Sequence, residues 1–342
     1  MRGKLLAIIL GVLPLLCWQP ASCSEDCSPF RLDVPGGTMQ KVPVMDQDGT
    51  LICYAYSAAQ LIDAFRFSHG DHNYEHLTSP LVAAVNNSIN AKDKFIEAGR
   101  VQDVVPDIVS KGSCSHRAVG ARFRAYSFKG FIAGIYSHLD AIRHSDLFRN
   151  SSTPAERDKH RTELVSDLQC YMDSSRVFEY PVQIEKILKH ATFDSRLKYL
   201  NAIFGEACKN SSVKIPKING KKLEIEYVRG EDHPSNWKKI FKDTLNVRLK
   251  NKYSQPVAIT YCSEILNDKG PSKRGPAAEE CKYSHSSVIV GRRVDQAGKC
   301  QYLVRNSYGD SCNGYYWECE HGQIWVDSDY LIENIAELQY LK

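Results

Sequence analysis

A cysteine performs acyl transfer when something favours its thiolate, something takes the proton it gives up, and something steadies the charge that builds on the carbonyl oxygen. This chain offers a candidate for each part. Cys53 stands six residues after Gln47 in the run Gln47-Asp48-Gly49-Thr50-Leu51-Ile52-Cys53-Tyr54-Ala55-Tyr56-Ser57-Ala58. Asp48-Gly49 signals a turn, and the apolar, alanine-rich stretch from Cys53 to Phe67 predicts a largely buried helix. A thiol at a helix start meets unpaired backbone N–H groups and the positive end of the dipole, and both favour the thiolate. Taken alone, Cys53 also reads as an ordinary core cysteine. His285 opens a predicted strand that ends at Gly291, and the next strand runs from Gln301 to Asn306 across a loop holding Asp295 and Gly298. A hairpin closing near Gln296-Ala297 sets His285 roughly opposite Tyr308, with Asn306 close by. Asn306 then accepts a hydrogen bond from the imidazole and fixes its tautomer and rotation. Singly, His285 reads as a solvated strand-end histidine and Asn306 as a turn residue; with Cys53 they fit a triad.

The elements that must position these residues follow from composition and pattern. At 342 residues the chain is long enough for one large domain or two lobes. A hydrophobic share of 43% and a charged share of 25% suit a globular protein, and a net charge of +4 with no Lys/Arg block argues against nucleic acid as a partner. Arg2 and Lys4, the apolar stretch Leu5 to Trp18 and the small residues Ala21-Ser22-Cys23 form a secretory signal over 1–23, so the expectation is an exported protein without stable membrane insertion. Lipoprotein anchoring at Cys17 or Cys23 is the weaker alternative, since neither has the usual leucine three residues before it.

Beyond Cys23 lie ten cysteines, most of them expected in disulfides after export. With Cys53 set aside nine remain, so either a second thiol is free or Cys27 is unpaired. Spacing does not give the connectivity. Cys281 with His285, and Cys312 and Cys319 with His321, lack the compact pairs of a zinc site, so no metal is expected.

Along the chain, 24–40 reads as a short irregular N-terminal segment with Pro35-Gly36-Gly37 as a connector. A helical pattern covers Leu77 to Ile96, and a second short helix following Gly99 stops at Gly112. From about 115 to 250 the chain is charged and mostly helical by pattern. Glycosylation-type triplets stand at Asn86, Asn150 and Asn210. The last ninety or so residues switch to strands, at Val257–Tyr261, Ser286–Val290, Tyr302–Arg305 and Gly314–Glu318. Helices first and strands later give an α+β class with two lobes side by side.

The segments around the candidate residues resemble the papain-like cysteine peptidases. Gln47 through Ala58 resembles the family's glutamine followed by its nucleophile motif, and Ser284-His285-Ser286-Ser287-Val288-Ile289-Val290-Gly291 its histidine strand. Asn306-Ser307-Tyr308-Gly309 resembles the Asn-Ser-Trp-Gly segment, Asn313-Gly314-Tyr315 a later strand, and Pro256-Val257-Ala258-Ile259 the strand before the histidine. The likeness covers about residues 40–112 and 255–340, in family order. It implies a papain-like two-lobe fold over 41–342, with a helical lobe carrying the nucleophile and an antiparallel β lobe. It also implies peptide-bond hydrolysis through a thioester, with Cys53 as nucleophile, His285 as base and acid, and Asn306 orienting the ring. The Gln47 amide and the Cys53 backbone N–H would then form the oxyanion hole.

By the same likeness Gly99, Tyr308 and Ser284 would contact a peptide or protein substrate, Tyr308 shielding the His–Asn bond, with no cofactor and a monomeric state. Tyr54 and Tyr308 stand where the family has tryptophans, and Thr50-Leu51-Ile52 replaces its Cys-Gly-Ser. Asp46 and Asp48 flank Gln47 and are expected to point outward. From Cys53 to His285 is roughly 230 residues, against roughly 130–150 in the family, so about a hundred residues are inserted within 115–250. They either stabilise the lobe or cover the cleft. Fewer than about twenty residues separate the signal from the first matching segment, so restraint by a long helical propeptide is not expected. The alternatives are a papain-like binding protein with weak catalysis, a transglutaminase-like acyl transferase, and a disulfide scaffold in which Cys53 is bonded.

Overall fold

The computed structural model describes residues 27–90, 96–97, 99–119, 128–147, 153–175, 177–189, 193–217, 222–266 and 284–342. The signal segment, the Asn150 triplet and Cys281 lie outside the described residues. The run after Ile52 forms the helix its composition predicts, α1 (Cys53–Ser68), buried continuously from Tyr54 to Arg66. A helix apolar on every side belongs in the middle of a fold, and α1 packs between two other helices and the sheet. Its two charged residues face one another: buried Arg66 Nη1 donates to buried Asp63 Oδ1 at 2.7 Å. Arg66 also donates to Asp71 Oδ2 and the His76 carbonyl, and Asp63 accepts the Thr78 N–H and hydroxyl. The polar stretch after α1 is thereby strapped to the helix.

The next helix, α2 (Pro80–Asn90), starts later than the pattern over 77–96 predicts. Thr78 is spent on Asp63 and on a bridge to Ser115, and Pro80 opens the helix, where its missing N–H costs nothing. Helix α3 (Val101–Lys111) ends as predicted at Gly112, whose φ of 77° suits glycine and whose N–H bonds the Ile108 carbonyl.

The charged region divides in two. A short strand ahead of it pairs with β3 (Ser212–Val213), and the N-terminal segment contributes β1 (Phe30–Arg31), so the short strand is β2 (Ser113–Cys114). Cys114 is disulfide-bonded to Cys208, with Cα atoms 5.2 Å apart. Between these joined ends lie α4 (Phe128–Leu147), α5 (Pro154–Ser175), α6 (Ile184–Leu188) and α7 (Arg196–Cys208). An insertion whose ends meet costs the host little chain entropy. Ile135, Leu139, Leu200 and Phe204 are buried in the same continuous core as α1, and α7 packs on α2, so the insertion extends the helical side.

The stretch from 222 onward belongs to the main sheet instead. It supplies β4 (Ile225–Arg229) and α8 (Trp237–Arg248), followed by β5 (Val257–Cys262), β6 (Ser284–Val294), β7 (Cys300–Arg305), β8 (Glu318–Glu320), β9 (Gln323–Asp327), α9 (Ser328–Asn334) and β10 (Ile335–Leu341). These strands form one antiparallel sheet in the order β4-β10-β5-β6-β7-β9-β8, with β1 beside β6. The α+β class and the division into a helical and a sheet side are thus both present. The predicted strand at 314–318 begins only at Glu318, because Gly314 (φ 84°) turns the chain and the Trp317 indole N–H is drawn to the Ile265 carbonyl.

Cys27 pairs with Cys300, Cys312 with Cys319, and Cys262 is also disulfide-bonded. Cys53 and Cys170 are the free thiols among the described residues, so the leftover cysteine is Cys170 rather than Cys27. The Cys312–Cys319 bond removes both from any zinc site. Among the described residues no helix is long and apolar enough to cross a membrane.

Candidate active site

Cys53 is the first residue of α1, and the loop before it is held to the sheet side. Asp48 and Gly49 make the predicted turn with φ of 45° and 67°, a conformation aspartate tolerates and glycine favours. The Gln47 N–H donates to the Ser307 carbonyl at 2.8 Å, the Gly309 N–H donates to the Met45 carbonyl, and Asp46 bridges Tyr308. Asp46 and Asp48 point outward, as expected. The buried Gln47 amide is fixed at both ends: Oε1 accepts the Ser307 hydroxyl at 2.7 Å, and Nε2 donates to the Thr50 carbonyl at 2.6 Å. A primary amide carries two N–H donors, so the second is left for a ligand.

The hairpin register is the predicted one. Val288 faces Arg305 on the β6–β7 ladder, which extrapolates to His285 facing Tyr308, although β7 ends at Arg305 and Asn306 leaves the sheet. Alternation along β6 turns His285 and Ser287 to one face, and both reach Asn306. His285 Nε2 lies 2.6 Å from Asn306 Oδ1, which also accepts the Ser307 N–H at 2.7 Å and the Ser287 hydroxyl at 3.4 Å. Asn306 Nδ2 donates to the Tyr315 hydroxyl at 3.2 Å. An oxygen that only accepts obliges Nε2 to carry hydrogen, which leaves the Nδ1 lone pair as the basic position. Tyr261, across the ladder on β5, meets the imidazole edge-on with centroids 5.6 Å apart, and its hydroxyl is 2.8 Å from that of Ser287.

The Cys53 thiol lies at the backbone N–H of Ser286, the residue after His285, and acts electrostatically on Tyr261 and Tyr308, both of which touch the imidazole. Burial pushes the thiol up from its ordinary value, outweighing the pull of the Ser286 and Tyr54 N–H groups toward the thiolate. The pull toward the thiolate expected at the helix start is present through these N–H groups, and desolvation of the charged form opposes it as the larger effect. Burial likewise holds His285 down to about 4, opposed by its bond to Asn306. In each case burial disfavours the charged form.

The remaining candidates fall around this centre. Gly99 is exposed and lies against the Tyr54 ring, where a Cβ would come within 2.4 Å of a ring carbon. The Tyr54 hydroxyl donates to the Ile96 carbonyl, tying that segment to the residue after the thiol. The Tyr308 ring lies tilted against His285 with centroids 4.9 Å apart, and the residue is 41% exposed. Ser284 sits at the exposed start of β6, across from Cys262. Sequence reasoning missed Ser307 as the anchor of Gln47, Tyr315 and Ser287 as partners of Asn306, and the Ser286 N–H. The signal for Ser307 was its place directly after Asn306. The others depend on strand register and turn geometry that the motifs do not encode.

No protein-family model and no curated protein sequence matches this chain. Among solved structures it aligns with the bromelain protease from Ananas comosus in complex with the E64 inhibitor, at 12% identity over 90% of this chain and 97% of that one, TM-score 0.42. It also aligns with xylellain, a cysteine protease from Xylella fastidiosa, at 14% identity over 92% and 85%, TM-score 0.42. A third is procathepsin B S9 from Trypanosoma congolense, at 10% identity over 91% and 75%, TM-score 0.45. At such scores the alignments carry no weight for the site, and the side-chain geometry is what bears on function.

Proposed function

We infer that this chain is an exported, papain-like cysteine peptidase acting through Cys53, His285 and Asn306. The observation that carries the reading is the 2.6 Å contact of His285 Nε2 with Asn306 Oδ1, which leaves Nδ1 as the basic position on a histidine next in sequence to Ser286, whose N–H meets the free Cys53 thiol. The three described disulfides suit an oxidising compartment.

In the proposed reaction a peptide carbonyl settles against Cys53, and the proton passes from Sγ to Nδ1. Each charge then becomes the other's counter-ion, which offsets the burial that disfavours either charge alone. Sulfur attacks the carbonyl carbon, and the electron pair moves to oxygen. The second Gln47 N–H and the Cys53 backbone N–H receive that oxyanion; losing one such donor typically costs about a hundredfold or more in rate. The tetrahedral species collapses, the C–N bond breaks, and Nδ1–H protonates the leaving amine, giving a thioester and neutral His285. Water gives a proton to Nδ1 and its hydroxide attacks the thioester. The acid leaves, and the thiolate regains its proton.

The test is cleavage of a denatured protein and of peptide amides by the wild-type chain, Cys53→Ala and His285→Ala. The expected result is cleavage by the wild type that falls by at least about a thousandfold in either variant. A folded wild type whose Cys53 is alkylated but which cleaves no substrate would remove the peptidase reading.

A further inference from the structure

Tyr308 carries a functional group that the triad chemistry leaves unused. Its hydroxyl stands 3.4 Å from His285 Nδ1, and its ring lies over the imidazole at an interplanar angle of 31°. Nδ1 is the atom that must receive the Cys53 proton, because Nε2 is spent on Asn306 Oδ1. That assignment does not reverse by turning the amide, since an NH2 group in the place of Oδ1 could not accept the Ser307 N–H. A neutral imidazole offers one acceptor lone pair, and the donor that approaches it in the resting structure is the phenol. A thiol that comes to share that lone pair is the weaker donor of the two.

We propose that Tyr308 restrains the resting site: its hydroxyl donates to His285 Nδ1 and keeps the proton on Cys53 until a substrate chain displaces the ring. The proposal rests on the reading of Cys53 and His285 as a catalytic pair and deepens it. Burial pushes the phenol up to about 12, with Cys53 adding to the shift, so Tyr308 is a protonated donor across the working range. The Tyr308 backbone is fixed by the bridge to Asp46 and its neighbours' bonds to Gln47 and Met45, while the residue as a whole is 41% exposed. An O–H donor at 3.4 Å is beyond the usual range, so the contact yields easily to a bound chain. Among the described residues the other titratable groups facing the pair are Tyr261 on β5 and Tyr315 after the turn at Gly314; burial pushes both phenols up and keeps them neutral, with Asp46 adding to the shift of Tyr315.

The test uses Tyr308→Phe, which keeps the ring and removes the oxygen. The rate of Cys53 alkylation by iodoacetamide is followed from pH 4 to 10 by mass mapping, which separates it from alkylation of Cys170. The variant is expected to react about two- to fivefold faster near pH 6–7, the lower part of what one neutral hydrogen bond supplies, with the two profiles merging at high pH. Its His285 ring resonances should titrate at higher pH than in the wild type. With a peptide substrate the gain should appear in KM rather than kcat, because binding already displaces the hydroxyl. Alkylation that is equal or slower at every pH overturns the restraint, and if the wild type still cleaves peptides the peptidase reading stands. Faster alkylation in a protein that cleaves no peptide supports the restraint and removes the peptidase reading.

Discussion

Ser307 makes no contact with a reacting atom, yet the geometry assigns it a measurable share of the rate. Its hydroxyl donates to Gln47 Oε1 at 2.7 Å, and among the described residues the other anchor of that amide is Nε2 donating to the Thr50 carbonyl at 2.6 Å. In Ser307→Ala the amide can rotate about the remaining bond, so its second N–H no longer stays on the oxyanion position. Oε1, on a residue only 2% exposed, is also left without a donor. An unsatisfied buried acceptor costs about 1–3 kcal/mol of stability. Misorienting one oxyanion donor should cost less than deleting it, so we expect kcat to fall by about tenfold in Ser307→Ala and by about a hundredfold or more in Gln47→Ala. KM should hold in both. Alkylation of Cys53 builds no oxyanion and should stay at the wild-type rate. The assay is steady-state peptide hydrolysis beside iodoacetamide kinetics on the same samples. An unchanged kcat in Ser307→Ala, or alkylation falling in parallel with kcat, would refute the reasoning.

Gly99→Ala places a Cβ within 2.4–2.9 Å of three Tyr54 ring atoms, in a segment tied to that ring through Ile96. The segment must shift, so KM for peptides should rise and the melting point fall, by about 1–3 kcal/mol of overpacking, while Cys53 alkylation persists. Replacing Cys114 and Cys208 by serine opens a loop spanning 94 residues. Such a loop is worth up to about 4.7 kcal/mol, but the β2–β3 pairing and the shared core hold the ends together without it, so thermal unfolding should show a loss of about 2–4 kcal/mol. His116 has Nδ1 buried without a partner, and burial holds its imidazole down to about 4. The folded state resists a proton that the unfolded chain accepts, so this contribution is fully present above about pH 6.5 and lost as pH falls toward 4. The half-buried rim of the residue argues for the low end, about 1–2 kcal/mol, and His116→Gln should lose correspondingly less stability than the wild type between pH 7.5 and 4.

The parts of the site written in local pattern were legible. The helix after Ile52, the turn at Asp48-Gly49 and the hairpin that brings His285 toward Asn306 each follow from residue types a few positions apart. The pKa of Cys53 was not, because the dipole is a local property while burial depends on how the sheet closes over the helix start. The inserted helices were visible as a spacing anomaly, yet their true end was not: β4, at the sheet edge beside β10, has the mixed charged and apolar composition of its surroundings. Ser307 was readable as a neighbour of Asn306 but not as an anchor, since its partner lies 260 positions away.

The central claim is that Cys53 and His285 form a working nucleophile and base. The most direct test is covalent labelling of the folded wild-type chain with a peptidyl epoxide, followed by peptide mapping, beside Cys53→Ala and His285→Ala. The account predicts a single rapid addition at Cys53, absent in the first variant and slowed at least about a hundredfold in the second. Addition that proceeds equally well without His285, or no addition to a folded and reduced protein, would contradict it.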